Sequence, residues 1–182
     1  MERALREFLD ARAPIDVETV NWGDGIRLRR SAYVDAACPP AAVVTSVRAI
    51  VLRDDAVLVA TDADGTRHIV PGGRIESGEG FETALRREIA EETGWGIRDL
   101  APLGFLHFQH LTPKPEGYRY PYPAFAQVVF VAKATEPLPA AMLPDDYVAA
   151  SSFVPVIEAR CLDVSPAERA FLDAVLVSCG GA

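Results

Sequence analysis

The chain has 182 residues, 49% hydrophobic and 24% charged, with a net charge of −8. That length carries one full core and a short appendage, and it is too short for two full domains. The acidic balance weighs against a nucleic-acid polymer as partner, since such binding gains affinity from cations that displace counterions, and no apolar run approaches the roughly 20 residues of a membrane span.

The N-terminal "MERALREFLDARAP" sets apolar residues at helical spacing among charges and predicts a helix over about 2–12. It lacks the apolar core of a signal peptide, so a soluble, cytoplasmic protein is expected. Cys38, Cys161 and Cys179 are scattered, odd in number and without metal-ligand spacing, which reads as reduced structural thiols. "IDVETVNWGDGIRLRRSAYV" reads as two strands around the turn signal Gly23-Asp24-Gly25, and "CPP" at 38–40 marks a boundary. Residues 1–40 are thus expected to form a helix-hairpin extension and 41–182 the main domain. The extension is too small to fold alone, so it must pack on that domain or on a second subunit, and a homodimer is the preferred arrangement.

From residue 41 the pattern is strand, tight turn at Asp54-Asp55, strand, turn at Asp62 to Gly65, and a short strand into Gly72-Gly73. A helix follows over about 81–93, with Gly94 placed to close it in a left-handed cap. Strands are expected near 101–110, at 124–134 and in "ASSFVPVI". Ser165, Pro166 and Glu168 make a capping-box start for a last helix running to about 178. No internal repeat or low-complexity tract interrupts this mixed α/β pattern, in which helices pack on a sheet.

The central helix carries the chemistry. With Phe81 at zero, Leu85, Ile89 and Ala84 fall near about 40°, 80° and 300°, and they form the apolar stripe. Glu92, Glu88 and Glu91 fall near about 20°, 340° and 280° by the same rotation, beside the buried side, while Thr83, Arg86 and Ala90 face away. Three crowded carboxylates at a core edge lose hydration and repel one another unless a cation compensates. Lysine is absent here and Arg87 is one charge, so a hard divalent metal with oxygen ligands is the natural counterpart.

Read as one string, "GRIESGEGFETALRREIAEETGW" has Gly73, five residues, Glu79, seven residues, Arg87, Glu88, Ile89, one residue, Glu91, Glu92, one residue, Gly94 and Trp95. This resembles the Nudix box of the Nudix hydrolases at every defining position. Seven fixed identities at roughly one in fifteen each put chance below about 10⁻⁷ per start site. The resemblance implies an α/β/α sandwich with a mixed sheet and hydrolysis of a diphosphate linked to another moiety. The usual substrate is a small-molecule nucleoside diphosphate derivative, and the cofactor is Mg²⁺ or Mn²⁺. By similarity Glu88, Glu91 and Glu92 are metal ligands, with the Gly73 carbonyl often joining them, and Arg87 pairs with Glu79. The proton acceptor varies within the family, so Glu91, Glu92, Glu79, Asp145 and Asp146 stay open, with a box glutamate favoured.

Outside the box the substrate signals are weaker. "HIVPGG" sets His68 where the family often carries Trp, and Pro113, eighteen residues past Trp95, falls short of a subfamily landmark. The long irregular segment 107–123 offers Tyr118, Tyr120 and Tyr122 for stacking on a base and Lys114 and Arg119 for phosphate. Trp22 and Arg27 to Arg30 on the hairpin are weaker candidates. The alternatives are a hydrolase of non-nucleotide diphosphates and a non-catalytic Nudix-fold ligand sensor.

Overall fold

The computed structural model describes residues 2–23, 25–118, 120–142 and 148–179. Arg119, Asp145 and Asp146 lie outside the described residues. In chain order the elements are α1 (Glu2–Asp10), β1 (Asp16–Asn21), β2 (Arg27–Val34), β3 (Val44–Arg53), β4 (Ala56–Asp62), β5 (Arg67–His68), α2 (Phe81–Thr93), β6 (Trp95–His110), β7 (Ala124–Pro137), β8 (Val148–Pro155), α3 (Val156–Ala159) and α4 (Pro166–Cys179). The strands form one eight-stranded sheet in the order β1-β2-β6-β7-β3-β4-β5, with β8 paired to β4. Among the described residues only β3 and β7 pair in parallel, so the sheet is mixed.

Alternation along the central strands divides the core between two faces. Val47, Ala49 and Val51 of β3, with Val128, Phe130 and Ala132 of β7, pack with Ala84, Leu85 and Ile89 of α2. Ile50 and Val129 point the other way and join Phe171, Leu172 and Val175 of α4. A period of two in the strands therefore buries both sheet faces, one under each helix. This is the expected α/β/α sandwich.

The N-terminal hairpin continues the same sheet. β2 pairs with β6 from Leu28↔His110 to Val34↔Gly104, and Leu28 and Ala32 are fully buried in the α4-side core. α1 lies over the edge of this region: its Leu5 packs with Val43, Ala124 and Ala126, and Phe8 meets Phe105 at 5.3 Å between ring centroids.

Several boundaries differ from those expected. β6 begins at Trp95, ahead of residue 101, and runs through His110, so the irregular stretch is 111–123. His107, Phe108 and His110 are buried and held between β2 and β7, and cross-strand pairing keeps them extended. Near the C-terminus β8 stops at Pro155, whose ring cannot donate to a ladder, and the chain turns into α3.

The irregular pairing of β3 with β4 creates the functional region. These strands pair only at Leu52↔Val57 and Arg53↔Ala56. Beyond that they diverge, and the loop at 71–75 takes the vacated edge of β3. Ala49 N–H donates to Pro71 O at 3.0 Å, Val47 N–H to Gly73 O at 2.9 Å, and Ile75 N–H to Thr45 O at 3.1 Å.

Candidate active site

The glycines of this loop are required by closeness. A Cβ on Gly72 would collide with the Val47 carbonyl and stand 2.8 Å from the Arg48 Cα, at a φ of 133° that side chains rarely adopt. A Cβ on Gly73 would run into the Glu88 carboxylate. The loop is thereby pressed between β3 and the acidic side of α2.

α2 spans the expected residues and ends where Gly94 takes φ 71° and donates to Ala90 O at 3.0 Å. Ala84, Leu85 and Ile89 are fully buried. Burying each of the two larger side chains is worth about 1.5–3 kcal/mol, against roughly 0.2–0.5 kcal/mol for each like-charge helical pair. Core packing therefore holds the carboxylates together despite their repulsion. Glu88, Glu91 and Glu92 are all half-buried, as expected for a core edge.

Arg87 ties the cluster to the loop. Its Nε and Nη2 donate to the two Glu79 oxygens at 3.1 and 2.8 Å, and Nη2 also reaches Arg74 O at 3.0 Å. Its Nη1 donates to Glu88 Oε1 at 2.9 Å and Glu91 Oε2 at 3.1 Å. The hydrogen bonds to Glu79 come first among the causes that raise the Arg87 pKa above its ordinary value. The Glu79 carboxyl, which also accepts from Glu76 N–H, is held below the usual carboxylate range chiefly by Arg87. Both Glu79 oxygens are thus committed, which makes it a positioning residue and a poor proton acceptor. Glu92 is aimed by a third link, because its Oε2 accepts from Gly72 N–H at 2.6 Å.

Among the described residues, no group of three or more His, Cys, Asp or Glu side chains stands arranged to hold a metal ion. Glu88 and Glu91 instead share the Arg87 guanidinium, and the Gly73 carbonyl already accepts from Val47. The donor chemistry still fits a hard divalent cation. Three half-buried carboxylates face one cavity, with a glycine cradle that any side chain would fill, and the Arg87 guanidinium pairs with two of the three.

That cavity measures about 930 Å³, within the range of small-molecule sites. Gly72, Gly73, Glu88, Glu91 and Glu92 form one wall, and Arg48, Gln127, Leu106, Phe108 and Arg30, on the α4-side face of β3, β7, β6 and β2, form its floor. His68 also lines it. Its Nε2 lies 2.9 Å from Asp62 Oδ2, and Nδ1 is 3.9 Å from Glu168 Oε1. Glu168 and Ser165 make the expected reciprocal cap, at 3.1 and 3.3 Å, and Glu168 also accepts from Ile69 N–H at 3.0 Å. The α4 cap thus fixes the strand that leads into Gly72.

Lys114, Tyr118 and Tyr120 do not line this cavity. The Tyr118 hydroxyl is held 2.9 Å from His110 Nε2, which draws the segment onto β6. Tyr120 lies under the Arg74 guanidinium at 4.7 Å, beside the start of the box. The hairpin residues Trp22 and Arg30 do line the cavity. Arg48, Gln127 and Asp62 were not singled out from the sequence. Arg48 had a signal, as a lone charge inside the apolar run "VRAIVL" of a two-sided strand. In place it donates to Gln127 Oε1 at 3.0 Å and Val70 O at 3.1 Å.

Comparison with known proteins agrees with this architecture. The model of the NUDIX domain matches residues 43–175. Among solved structures, a NUDIX hydrolase from Nitrosomonas europaea superposes with a TM-score of 0.55 at 20% identity, covering 74% of this chain and 90% of that one. A Bacillus subtilis pyrophosphohydrolase also gives 0.55, at 14% identity, over 88% and 97% of the two chains. A MutT NUDIX hydrolase from Burkholderia pseudomallei gives 0.52 at 21% identity, over 71% and 95%. Among curated proteins no significant match is found. With the family model spanning most of the sequence and the box residues assembled around one cavity, the chain belongs to the Nudix hydrolase family.

Proposed function

We propose that this protein is a metal-dependent pyrophosphohydrolase that cleaves the diphosphate linkage of a nucleoside diphosphate joined to another moiety. The observation that carries the reading is the meeting of Glu88, Glu91 and Glu92 with the Gly72-Gly73 loop at one wall of a substrate-sized cavity.

Glu88, Glu91 and Glu92 are the residues that would hold Mg²⁺ or Mn²⁺, with the Gly73 carbonyl offering its remaining lone pair. When bound, such a cation would neutralise diphosphate oxygens and acidify a water molecule. The chain's own groups do the positioning. Glu79 and Arg74 hold Arg87 on the loop side, and Gly72 N–H orients Glu92. Arg48 and Arg74 add positive charge to the cavity wall, suited to an anionic substrate. Glu91 or Glu92 accepts the proton from the attacking water, since Glu79 is consumed by Arg87. We assign the protein to the cytoplasm, which suits the free thiols of Cys38 and Cys161.

The test is turnover with Mg²⁺ or Mn²⁺ against a panel of nucleoside diphosphate sugars, dinucleoside polyphosphates and non-nucleotide diphosphates. Cleavage of the first group, with release of a nucleoside monophosphate, is expected. Cleavage of base-free diphosphates alone would select the non-nucleotide reading, and no turnover of any diphosphate would favour a ligand sensor.

A further inference from the structure

We propose that the N-terminal hairpin builds the specificity end of the cavity: the Trp22 indole stacks on the base of a nucleoside diphosphate substrate, and the Arg30 guanidinium donates to acceptor atoms on that base. The proposal rests on the diphosphate-hydrolase reading and adds the groups that choose the substrate.

Trp22 follows β1 and lines the same cavity as the three glutamates. Its ring meets Phe108 and Phe125 edge-on, at 5.2 and 5.3 Å and both at 67°, and those two rings stack on each other at 4.8 Å. Its backbone N–H donates to Ile26 O at 2.9 Å, which fixes the turn. Despite these anchors the residue is 48% exposed. An indole immobilised on one side and open on the other loses little freedom when a flat ring covers it, which is the condition for stacking to add affinity.

Arg30 stands beside it on β2. The guanidinium is paired with Glu18 through one amine, while the buried Nε has no hydrogen-bond partner. Arginine only donates, so the ligand part facing it carries acceptors, such as a base carbonyl or ring nitrogen. Sheet geometry separates this end from the diphosphate site: β2 is three strand spacings from β3, or about 14 Å. The base, ribose and diphosphate of a nucleoside diphosphate, laid end to end, reach across such a span, with the ribose as the spacer between the two recognised ends. A polyphosphate or isoprenoid diphosphate would leave either the indole or the guanidinium without a complement.

Two measurements test this on the full-length chain. Trp95→Phe leaves Trp22 as the sole tryptophan of two. In EDTA, its fluorescence should be quenched saturably by a nucleoside monophosphate and left unchanged by ribose 5-phosphate. Adding Arg30→Met should weaken the mononucleotide by about tenfold. In steady-state kinetics with metal, Trp22→Ala should raise KM for a nucleoside diphosphate sugar by about tenfold or more, with kcat nearly constant. Trp22→Phe should restore most of that loss, and a base-free diphosphate should show no change.

An absent fluorescence response, or an equal one to both ligands, would overturn the proposal. So would a Trp22→Ala protein that loses kcat equally on both substrates, which marks a structural role. The binding arm needs neither metal nor turnover. A protein that stacks mononucleotides but hydrolyses nothing therefore rejects the enzyme reading alone, and one that hydrolyses diphosphates without regard to the base rejects this inference alone.

Discussion

Gly73 has room for no side chain, because the Glu88 carboxylate occupies the place a Cβ would take. Gly73→Ala should therefore displace either the loop from β3 or Glu88 from the cavity. Activity should fall at least about tenfold, since misplacing a reacting group by an ångström has that order of effect or more. Circular dichroism should show the fold kept, and wild-type activity in Gly73→Ala would remove the cradle from the mechanism. Glu92 gives the complementary case. If it acts chiefly in the transition state, Glu92→Gln should lower kcat by roughly two orders of magnitude while KM moves much less. Removing one of several crowded negative charges relieves repulsion, so folding should survive. Full turnover by Glu92→Gln would refute its assigned role.

At the scale of elements, α1 covers a histidine that the site does not use. His107 on β6 borders a second cavity of about 180 Å³ with Leu5, Leu9, Arg6 and Asp10 of α1. Its Nε2 is buried without a partner, and burial, followed by the charge of Arg29, lowers its pKa from the ordinary 6.5. His110 is lowered by burial as well. The folded state thus binds fewer protons than the unfolded chain as pH falls below about 6.5. The stability that depends on neutral imidazole is complete above that pH and is lost on acidification toward the lower folded pKa. Melting temperatures between pH 7.5 and 5 should fall, and His107→Leu should flatten the slope. Equal slopes in the two proteins would show that the α1 contact is indifferent to this proton.

The whole molecule links metal, folding and assembly. A cation that binds only the folded state stabilises it by mass action, by about 2.7 kcal/mol at a hundredfold excess over Kd. Millimolar Mg²⁺ or Mn²⁺ should therefore raise the melting temperature by several degrees. That rise should vanish in Glu88→Gln/Glu92→Gln, and an equal rise in wild type and double mutant would place the cation elsewhere. Assembly turns on β1, which ends the strand order and carries the exposed side chain of Val17. An unpaired edge with apolar side chains readily accepts a second strand. We expect a homodimer at micromolar concentration, read by light scattering; a monomer there would reject it.

The sequence alone determined the chemistry of one element. Identities from Gly73 to Trp95 set a helix, its cap, its apolar stripe and its carboxylates, because each depends on spacing along a single regular structure. The β-prone runs of β3 and β7 likewise read as strands, while the sandwich with both sheet faces covered was an expectation carried by the resemblance of the box. Tertiary structure alone decided the rest of the cavity. Trp22, Arg30, Arg48, Gln127 and His68 come from β3, β7, the hairpin and β5. Their convergence depends on strand order and on the divergence of β3 from β4, which no local pattern encodes. The same holds for the tyrosines of 111–123. Composition marked them as ready to stack, but Tyr118 is held by His110 of the neighbouring strand and Tyr120 by Arg74, which is distant in sequence, and neither ring lines the cavity. Local periodicity fixes which face of an element is buried, whereas the pairing of distant strands fixes what that face meets.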